Sequence, residues 1–428
     1  MSVKHLKYPL LISFFLLLSS TIVHGQIQIA SPYSRFGIGD LSDNNNAWNS
    51  SMGEIGFGVR SNYHVNYSNP ASYTAFDSTS FLFEGGAMAS LVTLTSNVQS
   101  ASRNYATLGY LVFGMPVTKW WRTSFGLLPF SDVGYSVENI DYVKSIGTID
   151  RFYTGSGGIN RLYWGNGFKL FKNLSIGFNV SYLFGSMDRQ AKAIFPDSIY
   201  FINMKVDNYV TVSDIYLNYG IQYQINLKHD MRMVLGAVFA TNSAINAKTD
   251  MLAQTYFQNT AGTEFPKDTI EKTVGYKGTI LIPAMFGLGI SLEKPDNWLV
   301  GADFRWQNWK KFKAFGLSDS LVNSFQVNAG AELVPSYESY TNYLKRIRYR
   351  LGFLYNSTYL ELRGQHLNEY AFTLGFGLPL RGVKTMLNLG AQIGSRGTTN
   401  ASLIKESYFK FIIGFSIYER WFVKRKYY

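Results

Sequence analysis

The chain contains no cysteine among its 428 residues. That absence excludes disulfides, thiolate metal sites and a lipid anchor on an N-terminal cysteine. Charged residues are also scarce, at 16% of the chain, against about 25% in average proteins. The apolar stretch Leu10–Leu18 is too short for a membrane-spanning helix. The composition therefore excludes a disulfide scaffold and gives no sign of a helical membrane protein.

The first 25 residues have the features of an export signal. Lys4 and Lys7 precede the apolar stretch, and the small residues Val23 and Gly25 precede Gln26. This order of basic, apolar and small residues is typical of a signal peptide with a cleavage site. We therefore expect residues 1–25 to be a signal peptide and the mature chain to begin at Gln26.

Large apolar side chains alternate with small or polar ones along much of the remaining chain. The clearest example is Leu174–Gly185, and the alternation returns in Trp298–Gln307, Tyr370–Leu378 and Phe409–Ile417. Successive side chains of a strand point to opposite faces, so each segment has one apolar and one polar face. Strands of about ten residues with this alternation are typical of transmembrane barrels. Aromatic residues make up 16% of the chain, which suits the two lipid–water interfaces.

The predicted fold class is all-β: a 14-stranded antiparallel transmembrane β-barrel over residues 81–418, preceded by an N-terminal hatch or plug. The predicted strands are Phe81–Thr93, Tyr105–Val117, Arg122–Phe130, Leu162–Phe171, Leu174–Gly185, Tyr209–Leu227, Met231–Ala240, Tyr276–Leu292, Trp298–Trp309, Val322–Leu333, Arg346–Tyr355, Glu369–Leu380, Val383–Gly394 and Ser407–Tyr418.

The lengths of the connections predict the orientation of the barrel. Connections after even-numbered strands are mostly tight, whereas Ser131–Arg161, Ser186–Asn208 and Thr241–Gly275 follow odd-numbered strands and are long. Short periplasmic turns and long outer loops are the rule for outer-membrane barrels. We therefore expect a multi-pass barrel of the cell outer membrane with both termini in the periplasm. The aromatic and basic tail 419–428 is then an interfacial anchor or a docking site for a periplasmic partner.

Residues 26–80 do not share the alternation and are predicted to form the hatch. Lipid tolerates no irregular backbone, so this segment belongs in the barrel lumen or in the periplasm. It contains Asn69-Pro70-Ala71, where proline fixes its own backbone angle and biases Asn69 away from helix. From the residues alone, this motif is a bend that leads into the first strand, or an element beside a bound ligand.

The hatch resembles the start of a known family. Tyr33-Ser34-Arg35-Phe36-Gly37-Ile38-Gly39-Asp40, followed by Asn69-Pro70-Ala71 and Phe76-Asp77, is similar to the FadL/TodX family and most similar to its Bacteroidetes branch. The resemblance implies a fourteen-stranded barrel that carries long-chain fatty acids or aromatic hydrocarbons, with the hatch inside the lumen. It also implies a ligand close to the Asn-Pro-Ala motif. The candidate ligand-binding residues are Phe36, Asn69, Pro70, Ala71 and Phe76.

The third strand contains a proline in the sequence Pro129-Phe130-Ser131-Asp132-Val133-Gly134. Proline removes a ladder hydrogen bond, which predicts a kink or bulge in a closed barrel. The FadL resemblance implies that such a kink opens a lateral gap through which a ligand leaves, with Pro129, Asp132 and Gly134 beside it. The alternative is that Pro129 already lies above the membrane.

The sequence offers no enzyme chemistry. The three histidines after the signal, His64, His229 and His366, are expected in the hatch, a periplasmic turn and an outer loop. No catalytic residue, metal site or cofactor is therefore predicted. Arg346, Arg348 and Arg350 are expected to face the lumen from strand eleven, as a solvated face or as partners of the hatch.

Two functions remain open. One is passive uptake of a hydrophobic small molecule, and the other is a non-transporting barrel subunit of an outer-membrane protein export or assembly complex. The predicted partners are outer-membrane lipids, lipopolysaccharide phosphates near Lys310, Lys311 and Lys313, and other outer-membrane or periplasmic proteins. The net charge of +12 suits anionic head groups, and nucleic acid is not expected for an exported barrel. An Asn- and Ser-rich hatch favours the subunit, whereas the family resemblance favours uptake and carries more weight. Uptake of long-chain fatty acids or aromatic hydrocarbons through the hatch and a lateral gap at strand three is therefore the predicted function, and the subunit is the alternative.

Overall fold

The computed structural model describes residues 30–42, 45–197, 201–259, 261–339, 341–380 and 385–420. The predicted signal peptide and residues 421–428 of the predicted tail lie outside the described residues. The strands are β1 Asp40–Leu41, β2 Ser80–Thr95, β3 Ser100–Pro116, β4 Trp121–Val143, β5 Gly147–Lys169, β6 Leu174–Ile194, β7 Asn203–Asn226, β8 Arg232–Ala240, β9 Ser243–Gln258, β10 Glu264–Ile282, β11 Met285–Lys294, β12 Trp298–Gln307, β13 Lys313–Ala314, β14 Ser324–Leu333, β15 Arg348–Leu362, β16 Gln365–Pro379, β17 Met386–Arg396 and β18 Lys405–Arg420.

Fourteen strands form a closed antiparallel barrel, which confirms the predicted fold class. The two-residue strands β1 and β13 are additions to the wall, and β8–β9 and β10–β11 are each one wall strand with a short break. The wall closes where Lys405–Arg420 of β18 pairs with Ser80–Thr95 of β2. No helix in the described part of the chain has both the length and the apolar character to cross a membrane.

The strands extend much further beyond the membrane at one end of the barrel than at the other. At the short-turn end lie the connections between β3 and β4, β5 and β6, β7 and β8, and β11 and β12. At the other end, here called the extended end, β4, β5, β6 and β7 reach 23, 23, 21 and 24 residues. A tilted strand needs only about ten residues to cross the hydrocarbon. The extra residues therefore stand clear of the membrane-spanning wall.

The prediction that long loops follow the odd-numbered strands is wrong, because these segments form strands. Ser131–Arg161 lies almost entirely in β4 and β5, joined by the turn 144–146, and Thr241–Gly275 contains β9 and most of β10. Thr241–Gly275 lacks the apolar alternation in its second half because most residues of β10 are exposed on both faces. Without one buried face, a strand leaves no two-residue pattern in the sequence.

The predicted eighth strand, Tyr276–Leu292, is broken at Pro283. Ile282 ends β10 and Met285 begins β11, opposite the break at 241–242 between β8 and β9. Proline cannot donate to the ladder, which explains the break. The side chain of Asn242 accepts a hydrogen bond from the Ala284 N–H at 2.7 Å across it. The ninth strand also ends earlier than predicted, at Gln307, because Trp309–Lys311 forms a 3₁₀ helix.

Candidate functional site: the hatch and the gap in the wall

The described hatch residues lie inside the barrel. They form the 3₁₀ helices Pro32–Arg35 and Pro70–Ala75, a single helical turn α1 Ala47–Ser50, and irregular backbone between them. Most of their side chains are buried. Their hydrogen bonds reach wall strands around the whole ring, including β2, β6, β7, β12, β14, β16 and β18. The wall strands thus satisfy polar groups that lipid could not.

The Asn-Pro-Ala motif is a turn packed against the wall. The Asn69 side chain accepts from the Ala71 N–H at 3.1 Å and donates to the carbonyls of Phe57 and Ile221 at 2.7 and 3.3 Å. Asn69 and Ala71 are completely buried. This geometry is the N-cap of a 3₁₀ helix with proline in its first turn.

Glycines on three neighbouring strands make room for this turn. A Cβ at Gly177 would stand 2.5 Å from the Pro70 carbonyl carbon, and a Cβ at Gly167 would stand 2.9 Å from the Pro70 oxygen. A Cβ at Gly220 would collide with the Asn69 side chain. The three wall glycines therefore create the groove in which the motif holds the hatch, and any larger residue would fill it.

A first polar cluster, the Glu332 cluster, joins the hatch to the wall near the short-turn end. Glu332 accepts from Arg348 at 2.8 Å, from Arg350 at 2.7 Å and from the Trp48 indole at 3.1 Å. Arg348 also binds Asp296 at 2.7 Å. Arg348 and Arg350 therefore face the lumen as predicted, and their carboxylate also holds the hatch. Arg346 does not: it lies in the 3₁₀ turn Tyr343–Arg346, before β15 begins.

A second polar cluster, the Glu84 cluster, lies beside the first. Glu84 accepts from the Asn46 side chain at 3.1 Å and from the Val65 N–H at 2.9 Å, and contacts His64 at 3.1 Å. The His64 ring stacks on Trp48 with centroids 4.7 Å apart, which joins the two clusters. Both His64 contacts, to Glu84 and to Ser416, use Nδ1. A catalytic relay needs the two different ring nitrogens, so this is not a triad.

The side chain of Asp303 on β12 binds backbone groups of the hatch. Its carboxylate accepts from the Gly56 and Phe57 N–H groups at 2.6 and 2.8 Å, and Asp303 is buried. Beside this carboxylate, the hatch backbone at Gly58 approaches the wall backbone at Gly289 directly, because neither residue has a Cβ.

A third polar cluster, the Arg396 cluster, fixes the start of the hatch at the extended end. Arg396 binds Asp40 at 2.8 Å, Glu406 at 2.6 Å and the Ser31 hydroxyl at 2.7 Å. Tyr33 adds to it by donating its hydroxyl to the Ile404 carbonyl at 2.5 Å. In each of the three clusters, a buried carboxylate on a wall strand also receives or shares a hydrogen-bond donor with the hatch: Trp48 at Glu332, Asn46 and Val65 at Glu84, and Ser31 at Glu406.

The barrel wall has a gap between β3 and β4. These strands share only the six pairs from Leu111↔Leu127 to Pro116↔Arg122. Beyond them the hatch occupies the edge of β4: Asp40 pairs with Asp132 and Leu41 with Ser131. Ser31 N–H also donates to the Gly134 carbonyl at 2.9 Å. Within the described residues, β3 has no such cover on its edge over Ser100–Tyr110.

The three residues predicted beside a lateral gap lie at this edge. The pairing of β4 with β5 shifts register between Pro129 and Ser131, as expected for a proline in a ladder. Asp132 accepts from the Ser42 hydroxyl at 2.9 Å, and the Gly134 N–H donates to the Ser34 hydroxyl at 3.0 Å. Whether a ligand leaves here stays a prediction.

The residues predicted to bind a ligand are not brought together. Phe36 packs against the apolar cluster at the extended end, with Tyr33 and Ile38. Phe76 belongs to a different cluster, with Tyr73 and Tyr110. The Asn-Pro-Ala turn packs against the β5–β7 wall, as described above, and no ligand contact of these residues has been tested.

Cavities surround the first part of the hatch. One of about 130 Å³ lies at the extended end, with a mixed lining of charged residues such as Asp40, Arg396 and Glu406 and apolar ones such as Val92 and Phe325. One of about 120 Å³ lies beside the gap and is lined by Leu41, Met88, Tyr110, Pro129 and Ile412 among others. A notch of about 1070 Å³ opens between β3 and β4. At the short-turn end, a fourth of about 350 Å³ is bordered by Arg60, Glu293 and Trp298.

The prediction that His366 lies in a loop is wrong. His366 is on β16, and its Nε2 lies 2.7 Å from the Ser357 hydroxyl on the adjoining β15. A catalytic pair also needs a third group that orients the histidine. Within the described residues no contact at Nδ1 of His366 supplies one, and no three metal-ligating side chains gather.

Sequence reasoning missed the carboxylates that hold the hatch. Glu84, Asp303, Glu332 and Glu406 each stand at a lumen-facing position of a wall strand. A signal was present, since a charged residue on the polar face of an otherwise apolar strand demands a partner. The partners lie far away in the chain, so no local spacing could have identified them.

The chain is thus a closed 14-stranded barrel with an internal N-terminal segment and incomplete β3–β4 pairing. The BamG family model matches residues 5–428, so the chain belongs to the BamG family. No curated protein matches it in sequence.

Solved structures support the same fold. The Ralstonia pickettii toluene transporter TbuX matches with a TM-score of 0.59 and 13% identity, over 88% of this chain and 98% of that one. The Pseudomonas putida toluene transporter TodX matches with a TM-score of 0.59 and 15% identity, over 90% and 99%. A Pseudomonas aeruginosa FadL homologue matches with a TM-score of 0.58 and 11% identity, over 89% and 99%. The predicted FadL-like fold is thus confirmed, while the Bacteroidetes branch stays a prediction.

Proposed function

We propose that this BamG-family chain is a plugged outer-membrane barrel that acts as a non-transporting subunit of an outer-membrane protein export or assembly complex. The observation that carries the proposal is the set of buried ionic clusters that join the hatch to the wall at both ends of the lumen. Moving the hatch would take the Trp48 indole donor from Glu332 and would separate Asp40 from Arg396, although the wall residues Arg348, Arg350 and Glu406 would keep their ion pairs. A hydrogen bond to a charged group is worth about 1.5–3 kcal/mol, and several have to break together, which supports a fixed hatch.

The cavities beside the hatch also suit this function. The lining of the 130 Å³ cavity includes the charged residues Arg396, Glu406, Glu369 and Lys410 beside aromatic and aliphatic ones. An apolar molecule entering it would remove water from charged groups without replacing their hydrogen bonds, which is unfavourable. A barrel that is filled with polar contacts can serve as a rigid support without a continuous apolar path.

The extended end offers a surface for partner proteins. Ile140 and Tyr142 at the tip of β4 are 62% and 75% exposed, and Ile270 and Val274 of β10 are 58% and 72% exposed. Large apolar side chains grouped on a protein surface mark interaction sites. With the short turns in the periplasm, these tips face the cell exterior.

The proposal predicts that the exposed tips hold partner proteins. The double variant Ile140→Ser, Tyr142→Ser and the double variant Ile270→Ser, Val274→Ser should each lower the recovery of stoichiometric partners from native outer membranes at least fivefold. Quantitative mass spectrometry after mild detergent extraction measures this. The control Lys119→Ala changes an exposed polar residue of the β3–β4 turn at the opposite end of the barrel and should leave recovery unchanged. Equal recovery from all variants would contradict the assignment of this surface.

Passive uptake of hydrophobic compounds is the second candidate, and the β3–β4 gap favours it. The structural neighbours TbuX and TodX are named toluene transporters, and the partly apolar 120 Å³ cavity lies beside Pro129 and Asp132. In this function a ligand would pass Phe36 and leave between β3 and β4. Apolar ligands would be held by burial, at about 0.8 kcal/mol per methylene.

Uptake can be measured with the purified barrel in liposomes. Radiolabelled oleate or toluene should accumulate faster than in protein-free liposomes if the chain is a transporter. Leu41→Arg and Met88→Arg would place charge in the gap-side cavity and abolish that accumulation, while Leu317→Arg, at an exposed site outside the cavity, would not. The subunit proposal predicts no accumulation above protein-free liposomes for any of these proteins.

A further inference from the structure

A buried arginine without an acidic partner borders the cavity at the short-turn end of the lumen. Arg60 belongs to the hatch and is only 8% exposed. Its guanidinium donates to the Gln222 side chain at 2.9 Å and to the Thr74 hydroxyl at 2.7 Å, and both acceptors are neutral. Within the described residues, the Arg60 Nε has no acceptor and no carboxylate forms an ion pair with the guanidinium. A buried cation is costly unless an anion compensates its charge, so Arg60 favours an anion in the adjoining space.

The carboxylates that line the same cavity are bound by other groups. Each has a close partner: Glu293 has Arg232, Asp296 and Glu332 have Arg348, and Asp77 has the Tyr418 hydroxyl. Of the nearby charges, Glu293 attracts Arg60 and Arg232 repels it. Because these two residues are paired with each other at 2.5 Å, their effects on Arg60 largely cancel. The positive charge of Arg60 is therefore left in excess beside the cavity.

Two exposed lysines add positive charge at the rim of the cavity. Lys169 and Lys294 line it and are exposed, and neither has an ion-pair partner in the part of the chain that the structure describes. Cations around a concave surface raise the local concentration of an anionic ligand. The cavity measures about 350 Å³, which lies within the range of sites that hold small ligands.

The groups around the cavity indicate which kind of anion fits. The bordering carboxylates would repel a second negative charge, which favours a singly charged carboxylate over a doubly charged phosphate. Neutral polar side chains also line the cavity, among them Ser61, Asn62, Gln224 and Asn297. These side chains can exchange hydrogen bonds with the amide groups of a peptide. The alkyl chain of a fatty acid would instead remove water from them without replacing their hydrogen bonds, which is unfavourable.

We propose that this cavity binds the carboxylate of an extended peptide, either an acidic side chain or a C-terminus, with Arg60 as the buried counter-charge. Lys169 and Lys294 attract the carboxylate at the rim, and the guanidinium binds it with N–H donors that the hatch and the wall do not use. With the short turns in the periplasm, the peptide belongs to a partner protein there. Only this origin of the peptide rests on the proposed subunit function, because the binding of a carboxylate is a property of the barrel alone.

Isothermal titration calorimetry of the purified full-length barrel with short peptides tests the site. One probe is acetyl-Gly-Asp-Gly-amide, and acetyl-Gly-Asn-Gly-amide is its matched neutral control. A second probe, acetyl-Gly-Gly-Gly with a free C-terminus, presents the carboxylate at the chain end. At least one of the two carboxylate peptides should bind at least about tenfold more tightly than the neutral peptide. The tighter of the two identifies the carboxylate as a side chain or as a C-terminus.

Variants of the cavity assign the binding to its residues. Arg60→Gln should weaken binding of the tighter carboxylate peptide at least about tenfold, and Lys294→Gln, at the exposed rim, should weaken it about threefold. Lys119→Gln is the matched control, because it removes an exposed positive charge at the same end of the barrel but outside the cavity. Heat-modifiable migration in gels verifies that each barrel is folded. If Arg60→Gln does not fold, the comparison of Lys294→Gln with Lys119→Gln decides.

Equal binding of the carboxylate peptides and the neutral peptide would overturn the proposal, as would unchanged binding in the folded cavity variants. Tighter binding of octanoate or dimethyl phosphate than of either carboxylate peptide would also overturn it, and would assign the site to a fatty acid or to a lipid phosphodiester. A barrel that binds no peptide but still carries stoichiometric partners from native membranes would overturn this site and leave the proposed function intact.

Discussion

At the scale of the residue, the interior of this barrel is organised by carboxylates. Glu84, Asp303 and Glu332 each stand on a wall strand and accept hydrogen bonds from the hatch. A buried carboxylate is stable only when several donors surround it. The hatch supplies some of those donors and the wall supplies the rest, so the two parts stabilise each other.

Glu332 is the residue whose loss should be most costly. Glu332→Gln leaves Arg348 and Arg350 in a buried site with less counter-charge, because Arg348 keeps only Asp296 as a close carboxylate. We expect the free energy of unfolding to fall by about 3–5 kcal/mol. Urea titration of the detergent-solubilised barrel, followed by tryptophan fluorescence, measures this change.

The control for that experiment is Glu361→Gln, at an exposed position near the end of β15. An exposed substitution of this kind changes stability by less than about 0.5 kcal/mol. If Glu332→Gln unfolded at the same urea concentration as Glu361→Gln, the Glu332 cluster would have no structural role.

At this scale the sequence predicted that some charged side chains face the lumen, but it did not predict which residues bind them. Arg348 and Arg350 were expected to face the lumen because they alternate on a strand, and they do. Arg346 was assigned to the same strand, but the chain is still in a 3₁₀ turn there. Glu332, the shared partner, is on the neighbouring strand, and the register that brings it opposite Arg350 follows from the paired backbones.

At the scale of the element, short helical turns are held by grooves in the sheet. The 3₁₀ helix Pro70–Ala75 lies on the lumen faces of β5, β6 and β7, where glycines replace the side chains that would fill the space. Packing of this kind tolerates no added atoms, because the contacts at Gly177 are to backbone.

Gly177→Ala should therefore displace the Asn-Pro-Ala turn. We expect a loss of about 1–3 kcal/mol in unfolding free energy and faster proteolysis of the hatch. Gly85→Ala is the matched control, since a Cβ there meets Leu111 at an ordinary 3.5 Å. Limited proteolysis and urea titration of both variants test this, and equal behaviour would show that the turn does not need the groove.

A second element, the β9–β10 hairpin, is tied to its neighbours by one carboxylate. Glu264 binds Lys192 at 2.5 Å and Lys205 at 2.7 Å. Hydrogen bonds from these two lysines lower the pKa of Glu264 below its ordinary value of 4.5. A lowered pKa in the folded state means that the ion pair adds stability above about pH 4.5 and loses it as the pH falls through the folded value.

Acidification should consequently loosen this hairpin. Hydrogen exchange of the peptide around Glu264 is expected to be constant from pH 7 to pH 5, after correction for intrinsic rates, and to accelerate below pH 4.5. Glu264→Gln should exchange faster at pH 7, by up to about fivefold for a partly exposed pair worth at most about 1 kcal/mol. Exchange in the Glu264→Gln variant should also no longer accelerate below pH 4.5. If it accelerated as much as in the unaltered chain, a group other than Glu264 would be responsible for the acid response.

The strands differ in how well a sequence pattern predicts them. Wall strands have lipid on one face and the hatch on the other, so their two-residue alternation predicted all fourteen. Most of β10 has no such contrast between faces, and in the outer parts of β4–β7 and in β9 polar and charged residues interrupt the apolar alternation. They were therefore predicted as loops, although they are strands joined by short turns.

At the scale of the whole molecule, the barrel is a filled cylinder with a structured outer extension. The hatch meets nearly every side of the wall, and the remaining gap between β3 and β4 is partly occupied by β1. The fold is that of FadL-type barrels, but its interior is held by ions and amides. These contacts favour a hatch that stays fixed inside the barrel, as expected of a supporting subunit and not of a transporter whose hatch moves.

Native mass spectrometry of the protein extracted from its own outer membrane in mild detergent tests that claim most directly. We expect a complex in which this chain is bound to partner proteins in fixed stoichiometry, with no apolar small molecule retained in the barrel. A lone barrel that carries a stoichiometric fatty acid or aromatic hydrocarbon would contradict it and identify the chain as a transporter.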